Sequence, residues 1–425
     1  MEERFTEEKI NRAVLIGLRA ASLSKEDNAS DATLEELEAL LETAGGQSVG
    51  TVLQSRETPD ARTFIGEGKV REVKELVEAA GADLVIVDNA LAPSQQRALT
   101  EELGVQVMDR SGLILDIFAQ RAKTKEGRLQ VALAQYKYLL PRLTGMWRHL
   151  VRQTASGGKS PIGTRGPGET QLETDRRHIR RKISKLEEEL AEVRRVRGVQ
   201  RERRIKNEVP VVAIVGYTNA GKSTLLNALT GAAVTADNRL FDTLDTTTRT
   251  LEVSDTCTVL LSDTVGFIRK LPHHLVEAFK ATLEELSFSD LLLHVIDVSA
   301  PEWREQADVV ERLIVELGAA GTPRIDVFNK SDLYVGEILP HGPDIISISA
   351  KTGEGLDGLI SMIGARLDTG ARRVVLHLPY DKGGLLDALY REARVERVDY
   401  GDTIEVTAVC TPKVLGRVEE FQRRG

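Results

Sequence analysis

Four short stretches in the second half of the chain carry the residue types that hold a nucleoside triphosphate. Gly216-Tyr217-Thr218-Asn219-Ala220-Gly221-Lys222-Ser223-Thr224 fits the spacing G-x-x-x-x-G-K-[ST]. Glycines at those places let backbone N–H groups curl around phosphate at a helix start. Lys222 can then reach the β/γ oxygens, and Ser223 can offer its hydroxyl to Mg²⁺. Asp263-Thr264-Val265-Gly266 follows about forty residues later. There Asp263 can hold Mg²⁺ through water and the Gly266 N–H can reach a γ-phosphate. Asn329-Lys330-Ser331-Asp332 supplies a carboxylate that can accept from both N1–H and the 2-amino group of guanine, a donor pair adenine lacks. Ser349-Ala350-Lys351 offers a backbone N–H for guanine O6. Each stretch alone is an ordinary turn sequence. Four in this order, each after a strand-like run, predict Mg²⁺-dependent binding of GTP and GDP and hydrolysis of GTP, with Lys222 and Gly266 as the expected catalytic groups.

Between the first two stretches such a site needs a mobile loop with a threonine for Mg²⁺ and the γ-phosphate. Residues 240–249 contain Phe241-Asp242-Thr243-Leu244-Asp245, then Thr246 and Thr247. Spacing does not choose between Thr243 and Thr247. Phe267 stands directly after Asp263-Thr264-Val265-Gly266, where Ras-like GTPases keep the glutamine that orients water. A phenyl ring cannot orient water, so slow intrinsic turnover and stimulation by a partner are expected.

The elements that must position these residues can be read from periodicity. After residue 206, short β-rich runs at 209–215, 258–262, 291–298, 324–328 and 345–349 alternate with helical patterns. That is the pattern of a doubly wound α/β domain over residues 207–367. Ahead of it, residues 1–111 read as a small α/β domain, clearest between 51 and 107 and without a phosphate loop. Residues 112–206 read as a long helical hairpin, its two arms at 112–143 and 173–204 joined by a Gly- and Pro-rich loop at 156–169. Residues 368–425 read as a small α+β domain.

Composition narrows the partners. The chain has 425 residues and a formal net charge of -8, yet residues 121–206 hold 23 Lys+Arg against 9 Asp+Glu. One segment is thus built to meet a polyanion while the rest is acidic. No apolar run is long enough to span a bilayer, so no stable membrane insertion and a cytoplasmic location are expected. Cys257 and Cys410 lie far apart without ligand-spaced neighbours, which argues against a disulfide framework or a zinc site.

The phosphate loop, the Phe241-Asp242-Thr243-Leu244-Asp245 stretch, the loop Ile162-Gly163-Thr164-Arg165-Gly166-Pro167-Gly168-Glu169-Thr170-Gln171-Leu172-Glu173 and Phe64-Ile65-Gly66-Glu67-Gly68-Lys69 together resemble the HflX family of translation-factor GTPases. The resemblance covers nearly the whole chain. It implies a stress-linked GTPase, expected as a monomer, that binds the large ribosomal subunit and its rRNA and splits or rescues stalled ribosomes. It also favours Thr243 as the Mg²⁺ ligand. Thr246 departs from the proline common in the family after the Asp245 position. Along the hairpin, Arg165, Arg176, Arg177 and Arg180 are the expected RNA contacts. A solvated coiled coil, its charges paired through Glu187, Glu188 and Glu189, is the bland alternative.

Overall fold

The computed structural model describes residues 11–143, 167–206, 209–231, 240–241, 247–254, 257–271, 275–277, 279, 284–336, 338–367, 370 and 372–422. The chain divides into two compact units. The first holds residues 1–195 together with 237–245 and 266–282, and the second holds the remainder.

The first unit begins with β1 (Arg12–Ala20), α1 (Asp31–Thr43), β2 (Gln47–Arg56), α2 (Glu67–Ala80), β3 (Leu84–Val87), α3 (Pro93–Leu103) and β4 (Gln106–Asp109). The strands form one parallel sheet in the order β2-β1-β3-β4. Parallel sheets bury both faces under helices and therefore read as continuous apolar runs. Leu-Val-Ile-Val of β3 is such a run, and all four residues are buried. In β1 the same kind of core, Val14, Ile16 and Leu18 on one face and Leu15 on the other, is bracketed by Arg12 and Arg19. Those charges hid the strand from a reading by periodicity, in which the domain over residues 1–111 was clearest only from residue 51 onward. Ser30 starts α1 by a reciprocal cap, accepting from the Thr33 N–H at 3.2 Å while its own N–H donates to Thr33 Oγ1 at 2.9 Å.

The first arm of the expected hairpin is two helices, α4 (Arg110–Arg121) and α5 (Lys125–Leu139). Thr124 makes the break, because its Oγ1 accepts the Gly127 N–H at 3.0 Å and so caps a new helix. The other arm, α6 (Pro167–Lys206), is one helix of 40 residues. At 1.5 Å per residue it is roughly 60 Å long. It starts at Pro167, inside the stretch read as loop, and a proline is tolerated in a first helical turn. The remainder of that loop lies outside the described residues.

The second unit is built on β5 (Val211–Gly216), α7 (Lys222–Thr230), β6 (Thr247–Ser254), β7 (Cys257–Asp263), β8 (Leu291–Asp297), α8 (Trp303–Glu316), β9 (Arg324–Asn329), β10 (Ile345–Ser347) and α9 (Leu356–Arg366). Its sheet runs β10-β9-β8-β5-β7-β6, parallel except for the β6 edge. Strand β6, Thr-Thr-Arg-Thr-Leu-Glu-Val-Ser, carries little apolar signal because it is an edge strand buried chiefly through Leu251. Val212, Ile214, Leu225, Leu261, Leu293 and Val327 belong to its core. The unit ends in β11 (Arg372–Leu378), α10 (Gly383–Glu392), β12 (Arg394–Tyr400), β13 (Ile404–Cys410) and α11 (Pro412–Val418). That antiparallel sheet, β11-β13-β12, closes its own core around Leu376, Leu378, Val406 and Leu389.

Candidate guanine-nucleotide site

In the second unit the chain moves from β5 to one side of the sheet for β6 and β7, then crosses to the other side for β8, β9 and β10. Open α/β sheets bind ligands at the carboxyl end of the strand where the order reverses. Here that is the end of β5, from which Gly216 to Gly221 lead into α7. Two of its glycines are sterically required. A Cβ on Gly216 would lie 2.3 Å from the Val295 carbonyl oxygen. A Cβ on Gly221 would lie 2.3 Å from Asn329 Nδ2, and its φ of 92° is one that side chains rarely adopt. Among the described residues no side chain caps α7 at its N-cap position, Gly221.

Lys222 is buried, and its ammonium donates to the Gly216 and Tyr217 carbonyls at 3.2 and 2.8 Å. Loss of water pushes its pKa down to about 8, with the Asp263 carboxylate pulling in the opposite direction. Ser223 donates through Oγ to Asp263 Oδ2 at 2.8 Å, and Asp263 itself is wholly buried at the end of β7. Register explains that meeting, since Ile214 of β5 pairs with Asp263 of β7. Thr264 is fixed by donation to the Ile214 carbonyl at 2.7 Å. The buried Thr218 hydroxyl makes no hydrogen bond among the described residues, although a polar group buried in this way ordinarily has a partner. Tyr217 and Ala220 are buried, Asn219 takes a left-handed φ of 61°, and Thr224 is half-buried in the first turn of α7.

Asn329 ties two loops together. Its Nδ2 donates to the Ala220 carbonyl at 2.8 Å, and its Oδ1 accepts the Ala350 N–H at 3.0 Å. Lys330, left-handed at φ 63°, reaches Asp297 at 2.7 Å. Ser331 N–H donates to the Ile348 carbonyl at 3.1 Å, which presents Asp332 on an exposed turn. Ser349 is buried and accepts the Thr352 N–H at 3.2 Å, while Lys351 is exposed. Of the backbone N–H groups at 349–351, one of which is expected to reach guanine O6, that of Ala350 is engaged by Asn329 in this arrangement.

Of the loop between the first two motifs, residues 242–246 lie outside the described residues, and with them Asp242, Thr243, Leu244, Asp245 and Thr246. Thr247 opens β6 and pairs with Asp263 across the ladder. Phe241 is buried, left-handed at φ 56°, and meets Phe118 of α4 edge-on with ring centres 4.7 Å apart. Gly266 and Phe267 open the segment 266–282, which belongs to the first unit. Phe267 is buried.

Arg165 lies outside the described residues. Arg177 and Arg180 on α6 are exposed and Arg176 is partly so, and none of the three forms an ion pair among the described residues. Three of the helix's acids pair with other bases: Glu187 with Lys137 of α5, Glu189 with Lys185, and Glu192 with Arg195. Trp303 packs in a small core against Phe328. Cys410 is buried and Cys257 is half-buried.

Three family models match the chain: a GTP-binding GTPase N-terminal region over residues 31–119, a GTP-binding GTPase middle region over 121–204, and a 50S ribosome-binding GTPase over 211–330. GTPase HflX of Caldanaerobacter subterraneus subsp. tengcongensis is 49% identical over 412 residues, covering 96% of this chain and 93% of that protein. The chain belongs to the HflX family of GTPases. GTPase HflX of Escherichia coli K12 is 44% identical over 370 residues, covering 86% of both chains. A GTP-binding protein of Sulfolobus solfataricus, solved in complex with GDP, is 26% identical and aligns with 84% of this chain and 99% of its own. Its TM-score of 0.43 is too low to bear on fold or function. As an HflX-family P-loop GTPase the chain is a GTP hydrolase: a P-loop domain preceded by an α/β domain with helices and followed by a small C-terminal domain. No helix among its described residues is long and apolar enough to cross a membrane.

Proposed function

We propose that this HflX-family GTPase binds the large ribosomal subunit and its rRNA and splits or rescues stalled ribosomes, with GTP hydrolysis timing its release. The observation that carries this is α6, a helix of 40 residues on which Arg176, Arg177 and Arg180 have no acid to neutralise them among the described residues. A row of uncompensated guanidinium groups binds phosphate backbone through counterion release, whereas a self-paired coiled coil would not. The relatives' family model, described as a 50S ribosome-binding GTPase, supports the same partner. Arg165, in the loop leading into the helix, is proposed as a further RNA contact.

At the nucleotide, Gly216 to Thr224 cradle the phosphates, Lys222 neutralises charge developing on the β/γ oxygens, and Gly266 offers its N–H to the γ-phosphate. The buried Thr218 hydroxyl and the Gly221 start of α7, uncapped among the described residues, suit an anion at this position. Asn329 braces the loops, Asp332 reads the base, and Ser349, Ala350 and Lys351 border it. Ser223 and Asp263 present a hydroxyl and a carboxylate within 2.8 Å of each other, hard oxygen donors that fit Mg²⁺. Ser223, Thr243 and, through water, Asp263 would hold the ion, which supplies charge neutralisation at the phosphates. Thr247 is a ladder residue of β6, leaving Thr243 as the better candidate for a movable ligand.

Co-sedimentation with separated ribosomal subunits, under GDP and under a non-hydrolysable GTP analogue, tests the partner. Large-subunit binding that depends on the analogue and is abolished by RNase is expected. Binding that survives RNase would point to a protein partner instead.

A further inference from the structure

Strands β8 and β9 run side by side in the six-stranded sheet and end level, Asp297 paired with Asn329. Directly past that end stands Lys330, the second residue of the Asn329-Lys330-Ser331-Asp332 stretch. Its φ of 63° and ψ of 35° are left-handed, a conformation in which the Cβ of an ordinary side chain crowds the carbonyl oxygen that follows. A lysine keeps it only where its surroundings hold it.

Asp297 supplies the hold, and its two carboxylate oxygens divide the work. Oδ1 accepts the Ser299 N–H at 3.0 Å and the Ser299 hydroxyl at 2.6 Å, a local turn that fixes the carboxylate just past β8. Oδ2 accepts from the Lys330 ammonium at 2.7 Å. The side chains are 14% exposed at Asp297 and 24% at Lys330, so salt screens the pair less than it would one on open surface. Its flanking residues are anchored too. Ile296, Val298 and Phe328 lie in the small core with Trp303, and the Val298 N–H donates to the Asn329 carbonyl at 3.2 Å.

The place of Asp332 depends on that hold. From left-handed Lys330 the chain enters the 3₁₀ turn Ser331–Leu333, closed by donation from the Leu333 N–H to the Lys330 carbonyl at 3.0 Å. Among the described residues no side chain caps this turn. The carboxylate assigned to the base thus stands on three residues whose entry is set by the conformation of Lys330.

We propose that Asp297 is a positioning residue for base recognition: it holds the Lys330 ammonium, and with it the left-handed turn that sets Asp332 toward the N1–H and 2-amino groups of guanine. The inference rests on the reading of Asp332 as the base reader. One carboxylate meets both donors from a narrow range of positions, so a turn that wanders loses the second hydrogen bond first. The cost then falls on the 2-amino group, while the phosphates keep the separate loop at 216–224.

Full-length parent, Asp297→Asn, Lys330→Met and the double variant would be titrated with GDP and with inosine diphosphate, which lacks the 2-amino group. Asparagine keeps an acceptor for Ser299 and removes the charge that holds Lys330. The parent should prefer GDP, and Asp297→Asn should lower that preference by about fivefold or more. A general loss of folding would lower both affinities together and leave their ratio as it was. With Lys330→Met already in place, Asp297→Asn should change the ratio no further. Should Asp297→Asn fail to fold, Lys330→Met breaks the same pair from its other side and should lower the preference by itself. An unchanged ratio in either single variant, or effects that add in the double variant, overturns the proposal. Asp332→Ala, titrated alongside, separates the two readings. If it alone abolishes the preference, Asp332 stays the base reader and Asp297 loses its role. A parent without the preference, or a preference that survives Asp332→Ala, removes base reading from Asp332 and the proposal with it.

Discussion

The buried ammonium of Lys222 is the most charged group of the phosphate loop and the one whose chemistry is most altered by the fold. Its pKa, pushed down to about 8 from an ordinary 10.5, means that it is protonated below pH 8 and losing its proton above it. A bound triphosphate would restore the high value, so between those limits binding takes up a proton and affinity falls as pH rises. Calorimetry at pH 8.5 in buffers of different ionisation enthalpy should register that uptake in the parent and not in Lys222→Arg. Equal proton uptake in the two would remove Lys222 from the phosphates. Asp332→Asn should exchange guanine for xanthine preference, because the amide donates to a 2-oxo group that the carboxylate repels. Titration with GTP, XTP and ATP checks this, and an unaltered GTP affinity would count against Asp332 as the base reader. Gly221→Ala forces a Cβ against Asn329 Nδ2 and a strained φ, breaking the bridge from the phosphate loop to the Ala350 loop. A loss of ~2 kcal/mol in stability, together with weakened binding of both GDP and GTP, is expected in a denaturant titration and a nucleotide titration. Tolerance of alanine would mean that Asn329 does not brace the site.

At the scale of the element, the proposed function assigns recognition of the polyanion to α6 and nucleotide chemistry to the phosphate loop. Arg176→Ala and Arg180→Ala should each lower the steepness of large-subunit binding against log salt by about one, leaving GTP affinity and intrinsic hydrolysis as they were. Slopes that stay the same would reassign the helix to a solvated face. The loop that leads into α6 makes the same separation testable from its far end. Arg165→Ala with Gly166→Pro should reduce subunit binding and any stimulation of hydrolysis by subunits. Normal binding and stimulation would reduce the loop to a linker.

Over the whole molecule charge is segregated, a basic middle segment within an acidic chain. Subunit binding should therefore collapse with ionic strength, by roughly a hundredfold or more between 50 and 200 mM salt if four or more phosphates are contacted. Nucleotide affinity, dominated by a few contacts, should move far less. Parallel titrations of subunits and of GDP across that range decide it, and equal sensitivity would remove the distinction between the two surfaces. What the sequence alone determined follows from chemistry that is local along the chain. Gly216 to Thr224, Asp263 to Gly266 and Asn329 to Asp332 each sit on a strand-to-loop turn, so periodicity and spacing sufficed to find them. The basic stretch was legible because charge needs no partner to be counted. Only the tertiary structure showed that Ser223 meets Asp263, since that meeting depends on the register of β5 with β7. Only it showed that Ala350 is tied to the phosphate loop by Asn329. The separation of Thr124 as a helix cap within one helical pattern, and the existence of β1 and β6, likewise depend on what covers each face. The network of Asp88, Arg110, Glu36 and Lys270 left no signal in the sequence, because the sequence separation of 182 between Asp88 and Lys270 is closed only by folding. Ion pairs are chosen by space, and a chain read one residue at a time carries their charges without their addresses.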